Sequence, residues 1–310
     1  MKHSYTKTAI AVLGLVASVA STSVLAQASA QNVELQFSAQ LNGQAFECGK
    51  TYDNMGSTAA KITPTDFRFF ISEVEFLDNT GKATALQLEQ DKTWQQDNVA
   101  LLDFENGSGP CRNGNTATNM RVAGQLPAGN YSAVRFTLGV PFAKNHADAT
   151  LAAAPLNTTA MFWNWQGGYK FLKFDAQTNA NANGMQKTMA MQNASESASM
   201  AKPAAMNSGF ALHIGSTMCA SASKTTAPSQ CMNSNRVQVE LKDFDWKKNK
   251  VVLDVAKVLK ATNLEVNTMG TAPGCMSFPK DPDCFSVMNL LGLKYDGVAA
   301  QSAQLLFSKQ

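Results

Sequence analysis

Alternation of apolar and polar residues dominates the chain and predicts many short β-strands. The clearest cases are Val33–Leu41 (VELQFSAQL), Asp66–Leu77 (DFRFFISEVEFL) and Tyr131–Val140 (YSAVRFTLGV). Side chains in a strand point alternately to two faces, so each segment can turn one apolar face toward a core. Turn residues such as Asp78–Gly81 separate the segments. The pattern predicts an all-β protein, a single β-sandwich-like domain with long disulfide-stapled loops.

Weaker patterns complete the expected architecture. Further strands are predicted at Ala85–Leu88, Val99–Phe104 and Phe210–Ile214. Arg236–Leu241 and Lys250–Val258 flank a turn-like segment and predict a β-hairpin. Phe285–Leu293 predicts a short helix, and residues 297–310 predict a frayed C-terminal tail.

The most distinctive stretch is Ala160–Asp175, AMFWNWQGGYKFLKFD. On a strand, Trp163 and Trp165 would share one face because side chains alternate with period two. Gly167 and Gly168 indicate a bulge or a close approach of another group to the backbone. Two tryptophans in a strand more often serve packing than chemistry, so a structural role stays open.

Asp175–Ser208 differs in composition from the rest of the chain. It is rich in Ala, Asn, Met, Ser and Gln and predicts a disordered insertion. Two readings of its methionines stay open. They can bind Cu(I), since thioether sulfur suits that ion, or they can belong to a variable loop whose composition has no function. The expected domain plan is a signal peptide at 1–26, one domain at 31–296 that contains this insertion, and the tail.

The N-terminus resembles a secretory signal. Lys2 and Lys7 make a basic start, Thr8–Ala20 is an apolar run, and Val24–Ala26 fits a cleavage site. The run is too short to span a bilayer comfortably, so we expect no stable membrane span and a periplasmic location. Removing the two lysines lowers the formal charge from +3 to +1. Such a balance offers no electrostatic surface for nucleic acid.

Six cysteines follow the predicted signal, and an even number in an exported chain favours three disulfides. Proximity in sequence favours the pairs Cys219–Cys231 and Cys275–Cys284, which close short loops and leave Cys48–Cys111 as the third pair. Six cysteines allow 15 pairings, so other connectivities stay open. The chain has no C-x-x-C pair, and metal binding by the cysteines is therefore the weaker reading.

Histidine is scarce, and the predicted exported chain contains only His146 and His213. Two neutral imidazoles in an oxidising compartment can form a Cu(I) or Cu(II) site, although a single histidine usually serves packing or hydrogen bonding. Nucleophile-elbow, zincin, Walker A and haem-attachment motifs are all lacking, so we expect no enzyme. Asp66, Asp103 and Glu105 can act as acid and base, but carboxylates at strand ends are usually capping or solvated.

Several segments together resemble the MbnP-like family, also called the four-Cys half of a "metallo-mystery pair". They are LLDFENGSGPC at Leu101–Cys111, FTLGVPFAKNH at Phe136–His146, APLN at Ala154–Asn157, MFWNWQGGYKF at Met161–Phe171 and HIGSTMC at His213–Cys219. The resemblance extends over roughly Val33–Leu293. The chain departs from the family in its Asn/Met-rich insertion and in having six cysteines rather than a four-cysteine core.

The resemblance implies a periplasmic copper-binding protein for copper capture, storage or delivery. Its usual partner is an MbnH-like dihaem protein of the cytochrome c peroxidase type, which oxidises a tryptophan of the copper protein to kynurenine. His146 and His213 are the implied ligands, with Cu(I) favoured over Cu(II), and Trp163 or Trp165 is the implied oxidised residue. The alternative is an exported structural or recognition module whose aromatic strand contacts carbohydrate or protein.

Overall fold

The computed structural model describes residues 1–3, 29–164, 166–178, 209–223 and 226–310. The predicted signal peptide from residue 4 onward, Trp165, and residues 179–208 of the predicted insertion lie outside the described residues. Among the described helices, none has the length and apolar character needed to cross a membrane.

Short strands and turns make up most of the described chain. In chain order the strands are β1 (Ala30–Leu41), β2 (Gln44–Ala45), β3 (Tyr52–Met55), β4 (Ala60–Leu77), β5 (Ala83–Ala85), β6 (Gln87–Leu88), β7 (Gln95–Gln96), β8 (Val99–Asp103), β9 (Arg121–Pro127), β10 (Ala133–Leu138), β11 (Phe162–Asn164), β12 (Gly168–Tyr169), β13 (Leu172–Thr178), β14 (Gly209–Ile214), β15 (Thr217–Ala220), β16 (Gln230–Asn233), β17 (Val237–Lys242), β18 (Val251–Asp254) and β19 (Phe307–Lys309). The helices are α1 (Phe142–Asn145), a 3-10 turn at Thr159–Met161, α2 (Ala256–Leu259) and α3 (Pro282–Leu290).

Two main sheets enclose one apolar core. Within the described residues, the smaller sheet has six strands in the order β19-β18-β1-β9-β6, with β2 beside β1. The larger has nine and is built on the order β14-β13-β4-β10-β17. Alternate residues of β1 and of β4 meet in the core between them, including Val33, Leu35, Phe67 and Phe69. This arrangement confirms the predicted all-β, sandwich-like fold.

The long strand β4 organises the larger sheet, because five other strands pair with it. Phe67, Phe69 and Ile71 face the main core. The alternate positions, including Arg68 and Phe70, therefore face the opposite side of the sheet. Both are nevertheless buried, so this outer face is covered by chain rather than by solvent.

A second apolar cluster covers part of that outer face. Phe70 of β4 packs there with residues from the chain between 140 and 171, and the members also include Val99, Leu101, Val140, Ala149, Leu156, Met161, Tyr169 and Phe171. The Tyr169 hydroxyl donates to the Leu156 carbonyl oxygen at 2.6 Å. This cluster fixes the aromatic stretch against the larger sheet.

Three expectations from the sequence need correction. The disordered insertion was predicted to start at Asp175, but residues 175–178 form the end of β13 and pair with β4. The predicted hairpin of Arg236–Leu241 and Lys250–Val258 is wrong, because β17 pairs with β10 whereas β18 pairs in parallel with β1 of the other sheet. The connecting chain carries Phe244 into the core, where the side chain is 1% exposed. The frayed-tail prediction is wrong at the C-terminus, since β19 pairs with β18 and buries Phe307.

The aromatic stretch forms a small hairpin rather than one strand. Strand β11 ends at Asn164, whose side-chain oxygen accepts the backbone N–H groups of Gln166 and Gly167 at 2.9 and 2.8 Å. Strand β12 then pairs back with β11. The single tryptophan-bearing strand of the prediction is therefore replaced by β11, a turn and β12, and the last residues of the stretch belong to β13.

Three disulfides cross-link the fold and join Cys48 to Cys111, Cys219 to Cys231 and Cys275 to Cys284. These are the three predicted pairings. The Cys219–Cys231 bond joins directly opposed residues of β15 and β16, which form a separate two-stranded sheet. The disulfide between Cys275 and Cys284 lies within the main core, at the start of α3.

Candidate metal centre

His213 lies on β14 and points to the outer face of the larger sheet. Its neighbours Leu212 and Ile214 belong to the main core, and its own side chain is also buried, with 7% of the residue exposed. The Nε2 atom lies 2.7 Å from Oδ1 of Asp175 on β13. The Nδ1 atom is buried and has no hydrogen-bond partner. The ring is thus anchored through one nitrogen while the other is left available as a donor atom.

The carboxylate that holds His213 belongs to a buried chain of ion pairs. Lys173 Nζ lies 2.9 Å from Asp175 Oδ2 and also pairs with Asp66. Asp66 in turn accepts from Arg68 Nε at 2.8 Å. Burial alone raises the pKa of Asp175, but the hydrogen bond from His213 and the charges of His213 and Lys173 outweigh it and hold the pKa well below its usual range. Asp175 is therefore an anion at neutral pH and a strong acceptor for the imidazole N–H.

Two further carboxyl groups lie near the Arg68 end of this network. Desolvation by burial raises the pKa of Asp103 from 3.8 to about 7, although the charge of Arg68 opposes the rise. The side chain of Glu105 is buried, and its Oε2 atom has no hydrogen-bond partner. Asp66, Asp103 and Glu105 are thus interior groups rather than the solvated strand ends that the sequence favours.

His146 follows α1 directly and is also buried, with 5% of the residue exposed. Its Nε2 atom lies 3.2 Å from Asn145 Nδ2 and 3.3 Å from Cys231 Sγ. The ring packs edge-on against Phe142, with 5.1 Å between the ring centroids. His146 therefore borders the hairpin β15–β16.

Trp163 lies on β11, half-buried, beside the chain that follows His213. A Cβ atom added to Gly215 would lie 2.6 Å from Trp163 Cζ3, so the indole contacts the backbone at Gly215. Phe278 packs against the indole at 6.1 Å between ring centroids and is itself 51% exposed. Trp165, the other predicted aromatic, lies outside the described residues.

The close backbone approach predicted at the glycine pair is confirmed at Gly168. This residue has a φ of +71°, and a Cβ atom there would lie 2.6 Å from Asn145 Cγ. The Tyr169 N–H donates to Asn145 Oδ1 at 2.9 Å. The glycine therefore lets the segment that carries His146 dock directly on β12.

The segment that carries His213 packs on the same short stretch. The Phe171 N–H donates to the Ile214 carbonyl oxygen at 2.5 Å. A Cβ atom at Gly215 would lie 2.7 Å from the Tyr169 carbonyl oxygen. The structure thus brings the segments that carry His146 and His213 onto residues 168–171, and the indole of Trp163 contacts Gly215 beside them.

One possible ligand group escaped the sequence analysis. The ligand atoms of His146, Cys219 and Cys231 all lie within 4.8 Å of one another. Both sulfurs are bonded in the disulfide, so only the imidazole is a metal donor while that bond is intact. No pattern in the sequence indicated this group. His146 and Cys231 are 85 positions apart, and the two cysteines do not form a C-x-x-C motif.

These features define a class: a disulfide-stapled, all-β protein with two buried histidines, one of them on the outer face of the larger sheet, and a half-buried tryptophan beside the chain that follows that histidine. The family model MbnP matches residues 30–277, and the chain belongs to the MbnP family. Among solved structures, it is similar to MbnP from Methylosinus trichosporium, with 27% identity and a TM-score of 0.74 over 91% of this chain and 98% of that one. A comparison with curated proteins gave no match.

Proposed function

We propose that this protein binds one copper ion, as Cu(I), through His146 and His213 beside an oxidised tryptophan. The observation that carries the proposal is the state of His213. Its Nε2 atom is anchored on Asp175, whereas its buried Nδ1 atom has no partner. A buried polar atom left unpaired costs about 1–3 kcal/mol, and a bound metal ion would remove that cost.

The donor set suits copper. Neutral imidazole nitrogen is a good ligand for copper, and metal-binding histidines commonly donate their second N–H to a carboxylate. Asp175 supplies that carboxylate for His213. His146 can contribute its imidazole once the Asn145 amide, now 3.2 Å from Nε2, turns aside.

Trp163 must be chemically modified before it can bind copper, because the indole nitrogen donates a hydrogen bond but offers no lone pair to a metal ion. Conversion to kynurenine would open the five-membered ring of the indole. Two equivalents of hydrogen peroxide supply the two oxygen atoms and leave as water, and hydrolysis then releases the ring carbon beside the nitrogen as formate, so that an aryl amine and a carbonyl oxygen remain. We propose that an MbnH-like dihaem partner performs this oxidation. Contact between Trp163 and the exposed Phe278 supports the idea, since it brings the indole close to a surface that a partner can reach.

The proposed role is copper capture, storage or delivery by a periplasmic protein that is not an enzyme. The three disulfides suit an oxidising compartment outside the cytoplasm. Membership of the MbnP family supports a metal-related role.

The decisive experiment compares copper binding by the wild type with His146→Ala and His213→Ala after coexpression with the dihaem partner. Each variant should lose tight Cu(I) binding, since one imidazole cannot complete a two-nitrogen site. Affinity should also fall in acid, because a ligating imidazole must be unprotonated and its ordinary pKa is about 6.5.

Peptide mass spectrometry tests the tryptophan. Trp163→Phe or Trp165→Phe should abolish kynurenine formation and weaken copper binding without unfolding the protein. Trp246→Phe is the matched control, because Trp246 packs on the main core instead. If both histidine variants keep full copper affinity, the copper proposal fails, and the exposed Phe278 beside Trp163 would favour the aromatic contact surface.

A further inference from the structure

We propose that reduction of the Cys219–Cys231 disulfide creates a second metal site, in which His146 and the two thiolates bind a thiophilic d10 cation such as Zn(II) or Cu(I). The site goes beyond the proposed copper function, because it requires neither His213 nor an oxidised tryptophan. It shares only His146 with that function.

The geometry already approaches that of such a site. The three ligand atoms lie within 4.8 Å of one another, and His146 Nε2 lies 3.3 Å from Cys231 Sγ. In a tetrahedral zinc site with ordinary bond lengths, a nitrogen and a sulfur ligand lie about 3.6 Å apart and two sulfurs about 3.8 Å apart. Breaking the disulfide frees the sulfurs to reach that separation, and the distance from His146 Nε2 to Cys231 Sγ then needs to grow by only a few tenths of an ångström.

This disulfide is also the most accessible of the three. Cys219 and Cys231 are both half-buried. Each of the other two disulfides includes at least one cysteine that is 0% exposed, namely Cys111, Cys275 and Cys284. Thiol–disulfide exchange requires access to a sulfur, so a dithiol reductant should reach the hairpin first.

The hairpin does not depend on the disulfide alone. Asn233 Nδ2 donates to Thr217 Oγ1 at 3.1 Å at one end of the strand pair. Ser229 N–H donates to the Ala220 carbonyl oxygen at 2.9 Å at the other end. These bonds flank both cysteines and should hold the thiols opposite each other after reduction, which limits the entropy lost on metal binding.

The redox step balances as follows. A dithiol transfers two electrons and two protons to the S–S bond, which breaks to give the thiols of Cys219 and Cys231, while the dithiol itself becomes a disulfide. Binding of the cation then releases the two thiol protons to solvent, because thiolate is the metal ligand. Reoxidation by a disulfide oxidant reverses the sequence and expels the cation.

The test uses the His213→Ala full-length protein, which lacks the proposed two-histidine site. Zn(II) alone is titrated against a chromophoric chelator before and after mild reduction by a dithiol, which is removed by desalting before the titration. Thiols are mapped by mass spectrometry and the fold is followed by circular dichroism. We expect reduction at Cys219 and Cys231 first, a folded product, and one Zn(II) bound only after reduction. Adding His146→Ala should weaken that binding by about tenfold or more.

A Cys219→Ser/Cys231→Ser variant, which lacks the disulfide in any redox state, should bind no Zn(II) tightly. The inference is overturned if another disulfide is reduced first, if the reduced protein unfolds, if it takes up no Zn(II), or if His146→Ala leaves its affinity unchanged. None of these results bears on copper binding by the oxidised wild type, so the two proposals can fail separately.

Discussion

Asp175→Asn should weaken copper binding by disturbing His213 without removing a ligand. In the native protein, Asp175 Oδ1 faces His213 Nε2 at 2.7 Å, and Oδ2 faces Lys173 Nζ at 2.9 Å. An asparagine there has one oxygen and one NH2 group for two donors. The ammonium of Lys173 should take the oxygen, since a charged donor forms the stronger hydrogen bond. The NH2 group would then face His213 and favour the tautomer with the proton on Nδ1, the proposed ligand atom.

The expected loss of copper affinity follows from the proton on Nδ1, which must be removed before this atom can bind the ion. Loss of an outer hydrogen-bond partner of a ligating histidine typically weakens metal binding by about 10–100-fold, which corresponds to about 1.4–2.7 kcal/mol. The free energy of unfolding should also fall by about 1.5–3 kcal/mol, because a buried charge-assisted hydrogen bond is lost.

Copper affinity is measured by competition with a chromophoric Cu(I) chelator, and the His213 tautomer by nitrogen NMR of the metal-free protein. Asp53→Asn is the matched control, since it removes the carboxylate of an exposed ion pair with Lys61 at 3.0 Å. Unchanged copper affinity in a folded Asp175→Asn protein with a shifted tautomer would refute Nδ1 as the ligand atom. An unshifted tautomer would refute the role given to Lys173.

Two further predictions concern stability. The folded-state pKa of Asp103 is raised from 3.8 to about 7, so the native state binds more protons between these values and loses stability as the pH rises through that range. Asp103→Asn removes this titration and should flatten the pH profile of the unfolding free energy by up to about 4 kcal/mol between pH 4 and 8. Parallel pH profiles of the wild type and the variant would contradict the argument that burial raises the pKa of Asp103. Gly168→Ala should destabilise the protein in urea by more than Gly43→Ala. Both glycines have positive φ, so the backbone strain of the substitution is common to both. At Gly168 the new Cβ would clash with Asn145, whereas at Gly43 it would meet nothing within 4 Å. Equal losses of stability in the two variants would show that the clash at Gly168 relaxes freely.

The sequence by itself determined the local structure of this protein. Alternation with period two is a property of each segment alone, so β1, β4 and β10 lie where the pattern predicts them. The disulfide pairs Cys219–Cys231 and Cys275–Cys284 also followed from proximity, because short loops close with little loss of entropy.

Pairing between strands depended on the tertiary structure. The consecutive strands β17 and β18 looked like a hairpin, but they join different sheets, and this arrangement buries Phe244, Val251 and Leu253 in the core. No local pattern reports which distant strand offers the better partner. The pairing of β19 was equally invisible in the sequence. Its polar neighbours suggested a frayed end, but in the structure Phe307 is buried in the core.

In the candidate site, too, the sequence identified individual residues, whereas their contacts depended on the tertiary structure. Composition singled out His146 and His213 because histidine is rare in this chain, whereas Trp163 and Trp165 came from their spacing and from the family resemblance. Only folding placed Asp175 on His213 and the hairpin disulfide beside His146, across 38 and 85 positions. Polar residues that alternate along a strand normally face water, whereas here a second layer of chain covers part of the outer face of the larger sheet. That covering converts ordinary charged positions into a buried network that can hold an imidazole in one orientation.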